Sequence, residues 1–144
     1  MINRKQLYSS VVLMLVLLGA CSSKEPAAAS APAEEETLSR TEFTERVENY
    51  FEYVPLKVSK ASIFRIHLTD LSDGTPVSQA QVTLTARQPG SSQPAAEATA
   101  KIGKVTGIYV AELTLKQAGS YDIEFHIKND KLDERMPLVG FKTE

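Results

Sequence analysis

The stretch Ser62-Ile63-Phe64-Arg65-Ile66-His67-Leu68-Thr69-Asp70-Leu71 decides how this chain is read. In an extended backbone Phe64, Ile66 and Leu68 point one way and Arg65, His67 and Thr69 the other, because successive side chains of a strand alternate. Apolar-in, polar-out alternation is the pattern of a half-buried antiparallel strand. The period returns at 81–87, with Val82, Leu84 and Ala86 inward. It returns again at 121–127, where Tyr121, Ile123, Phe125 and Ile127 alternate with Asp122, Glu124 and His126. Residues 97–102 predict a weak strand, 108–115 a stronger one with both faces partly apolar, and 132–141 the last. Turn residues punctuate the runs: Asp73-Gly74, with Pro76 delaying the next strand, Pro89-Gly90, Ala118-Gly119 and Asn129-Asp130-Lys131. Seven or so strands at roughly 10-residue intervals predict an all-β fold, an immunoglobulin-like antiparallel β-sandwich.

Two neighbouring signals refine that expectation. Gly107-Ile108-Tyr109 and Ala118-Gly119-Ser120-Tyr121 each place a glycine at a strand entrance and a tyrosine just inside. Glycine permits positive φ at such an entrance, and a buried tyrosine ring leaves its hydroxyl to bond nearby backbone, as at a tyrosine corner. The segment 43–54 is ambiguous. Phe43, Val47, Tyr50, Phe51 and Val54 fit a helical face, while Phe43, Val47, Phe51 and Tyr53 fit a strand. Its aromatic, β-branched end before Pro55 favours a strand from Tyr50, with an earlier helical turn still open.

Upstream of this domain the chain changes character. Arg4 and Lys5 precede a continuous apolar run at 11–18, too short to span a bilayer, and small residues follow: the layout of a secretory signal peptide. The run ends in Leu18-Gly19-Ala20-Cys21, which resembles the lipobox of bacterial lipoproteins. That resemblance implies cleavage between Ala20 and Cys21, a diacylglycerol on the Cys21 sulfur and an N-acyl chain on the new terminus. Cys21 is the only cysteine, and an unpaired thiol is otherwise a liability in an oxidising compartment. Ser22 follows it, not the aspartate that would resemble an inner-membrane retention signal, so the expected location is the periplasmic face of the outer membrane. Residues 22–36, built from Ala, Pro, Ser and Glu, read as a flexible tether. The expected domains are thus 1–20 signal peptide, 21–40 lipidated cysteine and linker, and 41–144 β-sandwich.

Composition excludes several function classes. Without Arg4 and Lys5 the mature chain carries 14 basic and 18 acidic side chains, a formal charge of −4. Nucleic-acid binding requires a basic face, so it is set aside. No nucleophile elbow, phosphate-cradling glycine loop or H-E-x-x-H zinc motif occurs, and the chain reads as a non-enzyme. Its two histidines, His67 and His126, with Met136, are the candidate ligands for a soft ion such as Cu(I) or Ag(I). Asp70, Asp73, Asp122 and Glu124 read as a solvated acidic face. Ile108 and Val110, on the strand whose two faces are both partly apolar, are the candidate interaction surface.

Residues 50–58, YFEYVPLKV, followed by 62–71, SIFRIHLTDL, then Asp73-Gly74-Thr75-Pro76-Val77, Gly107-Ile108-Tyr109 and residues 116–122, KQAGSYD, resemble a known extension. It is the N-terminal extension of periplasmic adaptor (membrane-fusion) subunits of heavy-metal resistance-nodulation-division efflux pumps. The resemblance covers residues 43–141. It implies an immunoglobulin-like module associated with an envelope efflux system. It departs in lacking the β-barrel, lipoyl-like domain and helical hairpin of a full adaptor, so the expectation is a free-standing copy of the extension or a piece of a split adaptor. Three functions are open at this point: a lipid-anchored accessory module acting through protein contacts, its tether raising local concentration near a membrane-bound partner; a periplasmic soft-metal carrier for copper, silver or zinc; and a structural envelope lipoprotein without ligand.

Overall fold

A computed structural model describes residues 36–144; Ala20, Cys21, the signal peptide and nearly all of the tether lie outside the described residues. Ten strands follow in order: β1 (Leu38–Phe43), β2 (Val47–Tyr53), β3 (Ala61–Asp70), β4 (Thr75–Pro76), β5 (Gln81–Arg87), β6 (Ala96–Thr99), β7 (Lys101–Ile102), β8 (Ile108–Thr114), β9 (Gly119–Lys128) and β10 (Asp133–Thr143). They form two antiparallel sheets. The larger runs β1-β2-β3-β8-β7, with β4 also on β3, and the smaller runs β10-β9-β5-β6.

The path β2-β3-β8-β7 opposite β10-β9-β5 is the strand order of an immunoglobulin sandwich, with β6 added at the edge of the second sheet. The alternation in the sequence sets which side of each strand faces the other sheet. Phe64, Ile66 and Leu68 of β3, Val82, Leu84 and Ala86 of β5, and Tyr121, Ile123, Phe125 and Ile127 of β9 are all buried. Between the sheets sits an aromatic cluster. Phe51 lies 4.8 Å from Phe125, 6.2 Å from Phe64 and 6.4 Å from Phe141 between ring centroids, and Tyr53 stacks on Phe64 at 5.2 Å.

Both glycine–tyrosine pairs act as the sequence suggests. The Tyr121 hydroxyl donates to Gln117 O at 2.8 Å, a tyrosine corner at the start of β9. The Tyr109 hydroxyl donates to Val77 O at 2.8 Å and accepts from Ala80 N at 3.0 Å, tying the β4–β5 connection to the core. Asn129 Oδ1 accepts from Lys131 N and Leu132 N, both at 2.8 Å, which makes the β9–β10 turn.

Three sequence expectations change. The ambiguous segment holds no helical turn: it is the hairpin β1–β2, closed by Thr44 N donating to Val47 O at 2.9 Å. The linker–domain boundary expected at residues 40–41 therefore falls inside β1, because a short polar strand pairs through its backbone and needs no apolar pattern of its own. Pro76 does not delay a strand but sits in one: Thr75 and Pro76 pair with Asp70 and Thr69. The weak strand at 97–102 is two strands in different sheets. The chain crosses at Ala100, whose N–H bonds Val82 O at 2.8 Å, and its small side chain lets the backbone pass close to the core.

Candidate functional site

The two outer faces of the sandwich differ in chemistry. On the smaller sheet the outward residues of β9 and β10 are knitted by charge. His126 Nε2 lies 2.7 Å from Asp133, Lys128 Nζ lies 3.1 Å from the other oxygen of the same carboxylate, and Arg135 donates to Glu124 at 2.9 Å. Exposed pairs of this kind contribute little stability but keep a surface hydrated.

The larger sheet presents a different face. Register places Tyr50, His67 and Ile108 side by side across β2, β3 and β8, and in the next row Glu52, Arg65, Val110 and Lys101. Tyr50 and His67 meet edge to face at 5.4 Å. His67 Nε2 is buried there without a hydrogen-bond partner, while the Tyr50 hydroxyl turns away to donate to Glu52 at 3.2 Å. Ile108 and Val110 are half-buried. Gly103 has no side chain where one would meet Ile108 Cγ2 at 3.2 Å, so the β7–β8 loop lies flat against Ile108. Phe43 (61% exposed) and Ile63 (46%) flank the patch. A strip of apolar and aromatic side chains on one outer face thus lies opposite an ion-paired face.

This geometry separates the sequence candidates. His67 joins Ile108 and Val110 on one face, with His67 and Ile108 direct register partners. His126 points outward from the opposite sheet. Met136 pairs with Phe125 across β9 and β10 and is buried between the sheets, its sulfur 3.7 Å from Asn49 Nδ2. His67 and His126 thus lie on opposite outer faces and Met136 in the core between them, and the three do not meet at one ion within a single copy. A shared β-strand period says which side of a strand a residue faces, but the closure of two sheets puts equivalent outward sides on opposite surfaces. Among the described residues no group of three His, Cys, Asp or Glu is placed to hold a metal ion. The four carboxylates divide likewise: Asp70 and Asp73 flank the β3–β4 turn, whereas Asp122 and Glu124 lie on β9. From the sequence Tyr50 is no candidate and Phe43 shares a strand face with buried Val47; register instead puts Phe43 opposite Glu48, on the outer face with Tyr50. The alternation of Glu48, Tyr50 and Glu52 with Val47, Asn49 and Phe51 carried that signal.

The turn carboxylates have structural work. Asp70 accepts from Ser72 Oγ at 2.6 Å and Ser72 N at 2.9 Å, and Asp73 from Thr75 Oγ1 at 2.7 Å and Thr75 N at 2.9 Å. These bonds hold both acids below the ordinary carboxylate range, with Arg46 a smaller contributor at Asp70. His126, then Lys128, does the same for Asp133. A depressed folded pKa contributes stability that is complete above the unfolded value of about 4 and is lost as pH falls through the folded value. Urea midpoints are therefore expected to stay level from neutral pH to about 5 and to drop below about 4. The Asp70→Asn/Asp73→Asn/Asp133→Asn variant should start lower at neutral pH and fall less on acidification; parallel curves would deny these acids that role.

A family model described as YtkA-like matches residues 45–126, more than half of the chain, from the β1–β2 turn through His126 on β9. The matched span contains Tyr50, His67, Ile108 and Val110, and leaves out β1 and β10. None of the curated proteins matches the chain.

Proposed function

The chain belongs to the YtkA-like family, and from that premise we propose that it is a lipid-anchored envelope module that acts through protein contacts at the outer face of the larger sheet. The observation that carries the reading is the contrast between the faces: one closed by ion pairs, the other offering Tyr50, His67, Ile108 and Val110 as a contiguous strip. The lipobox-like Leu18-Gly19-Ala20-Cys21 supports attachment to the periplasmic face of the outer membrane. Two or more acyl chains would hold it there firmly. Anchoring raises local concentration beside a membrane-bound partner, so a strip of modest intrinsic affinity suffices. The resemblance of residues 43–141 to the extension of efflux adaptors supports a component of an envelope efflux system as that partner.

The test uses the full-length chain in intact envelopes, with a photoreactive side chain at Val110. It is expected to capture a discrete partner. Ile108→Thr/Val110→Thr keeps β-branched residues on the strand and removes apolar contact. Losing roughly 2 kcal/mol or more of apolar burial across the pair should lower partner recovery at least about tenfold with the thermal midpoint nearly unchanged. Equal recovery from the variant would remove this face from the mechanism, and no capture at all would favour a structural lipoprotein.

A further inference from the structure

The sandwich has four sheet edges, and three carry features that discourage pairing. β7 is two residues long and β6 four. β10 carries Pro137 and breaks register between Leu138 and Phe141, where Gly140 adopts φ +87°. Short strands, proline and bulges are the usual means of blunting an edge. The fourth edge, β1, is a six-residue strand of sequence LSRTEF in unbroken register with β2, without proline, glycine or bulge, and its two inward charges, Arg40 and Glu42, neutralise each other as an ion pair.

The phase of the β1–β2 ladder decides what this edge offers. Thr44 N donates to Val47 O, so Thr44 and Val47 are a hydrogen-bonded pair. Bonded and non-bonded pairs alternate in an antiparallel ladder. Glu42 with Asn49 and Arg40 with Phe51 are then bonded pairs, and the peptide groups of Ser39, Thr41 and Phe43 point away from β2. Among the described residues β1 ends its sheet, so they meet no further strand there.

We propose that β1 pairs antiparallel with β1 of a second copy about a two-fold axis at Thr41, joining the two larger sheets into one. In that register Thr41 faces its own equivalent, and Ser39 faces Phe43 in both directions. Every outward N–H and C=O of these residues then finds its complement. Arg40 falls opposite Glu42 of the other copy, and Glu42 opposite its Arg40, in non-bonded pairs where side chains approach most closely. Charge therefore matches on both sides of the axis. Sliding the axis by two residues sets Arg40 against Leu38 or Glu42 against Thr44 and loses that match. Within one copy Arg40 Nη1 bonds Val139 O at 3.0 Å, Nε bonds Glu42 at 3.0 Å, and the guanidinium lies 4.9 Å over the Phe141 ring. In the dimer each guanidinium then lies between two carboxylates, its own Glu42 and that of the second copy. Phe43, 61% exposed, gains cover from the partner copy.

The test uses the full-length chain purified in mild detergent. Thr41→Cys should give a disulfide-linked dimer on mild oxidation, since facing residues of an antiparallel pair lie about 5.5 Å apart between Cα atoms, within disulfide reach. Ser39→Cys and Phe43→Cys should each give little dimer alone and abundant dimer when mixed. The unsubstituted chain, which keeps Cys21, sets the background. Thr41→Pro removes an N–H that no strand of the same copy uses, so the thermal midpoint should hold while self-association by light scattering weakens at least tenfold. Thr41→Cys dimer at background, an unsubstituted chain that stays monomeric at all concentrations, or a dimer that survives Thr41→Pro would each overturn the proposal. A monomer whose β1 instead cross-links to a different envelope protein overturns it as well.

Discussion

Replacing Phe51 with alanine is expected to lower the unfolding free energy by about 3–5 kcal/mol, the range for truncating a fully buried aromatic residue. Phe51 is fully buried on β2 and touches rings from both sheets: Phe64 and Tyr53 from its own, Phe125 and Phe141 from the other. Removing it withdraws the ring that touches every other member of the cluster, and the surrounding strands cannot close on the space without breaking register with β1 and β3. A domain of this size holds only about 5–15 kcal/mol in all, so the variant should sit near the threshold of folding. Urea denaturation of the parent and variant measures the loss directly. A cost below about 1 kcal/mol would mean that the cluster does not organise the core.

Gly107→Ala should be nearly as damaging, for a different reason. Gly107 adopts φ +83°, which costs an alanine about 1–2 kcal/mol. A β carbon there would also stand 2.6 Å from Pro76 Cβ and 3.1 Å from Leu68 O. Neither neighbour yields easily. Pro76 is paired to Thr69, and Leu68 O accepts from Val77 N at 2.9 Å while Leu68 N donates to Gly107 O at 2.9 Å. Crowding of that kind adds about 1–3 kcal/mol, for a total of about 2–5 kcal/mol. Gly74→Ala is the comparator. Gly74 has φ +72° with nothing within 4 Å of the added carbon, so it should lose only the conformational part, about 1–2 kcal/mol. Equal losses at the two positions would show that the close approach to Pro76 and Leu68 contributes nothing.

Gly107 illustrates how much of this protein is legible before folding. The glycine–tyrosine pair marks a strand entrance, and the Tyr109 hydroxyl indeed anchors backbone. That the glycine is required by contact with Pro76 is invisible locally, since the two are brought together only when β4 joins β3. The candidate face shows the same division. His67, Ile108 and Val110 each read as outward residues from their own strands, but their adjacency depends on β3 and β8 being neighbours. His126 carries the same local signal as His67 and ends on the other side of the molecule.

The alternation of 62–71, 81–87 and 121–127 determined by itself that the chain is a two-faced, all-β sandwich, and which side of each of those strands is buried. The lone cysteine after a short apolar leader determined, in the same local way, the expectation of a lipid anchor. Such signals are written in single segments because side-chain direction follows from covalent geometry with a period of two. Tertiary structure alone decided that residues 38–53 are a hairpin, that the chain changes sheets at Ala100, and that β1 is the outermost strand of its sheet among the described residues. It also decided that His67 lies beside Ile108 and remote from His126. Strand partners are chosen by burial and backbone pairing between segments far apart in sequence, and the backbone groups that make those pairs are the same at every residue except proline.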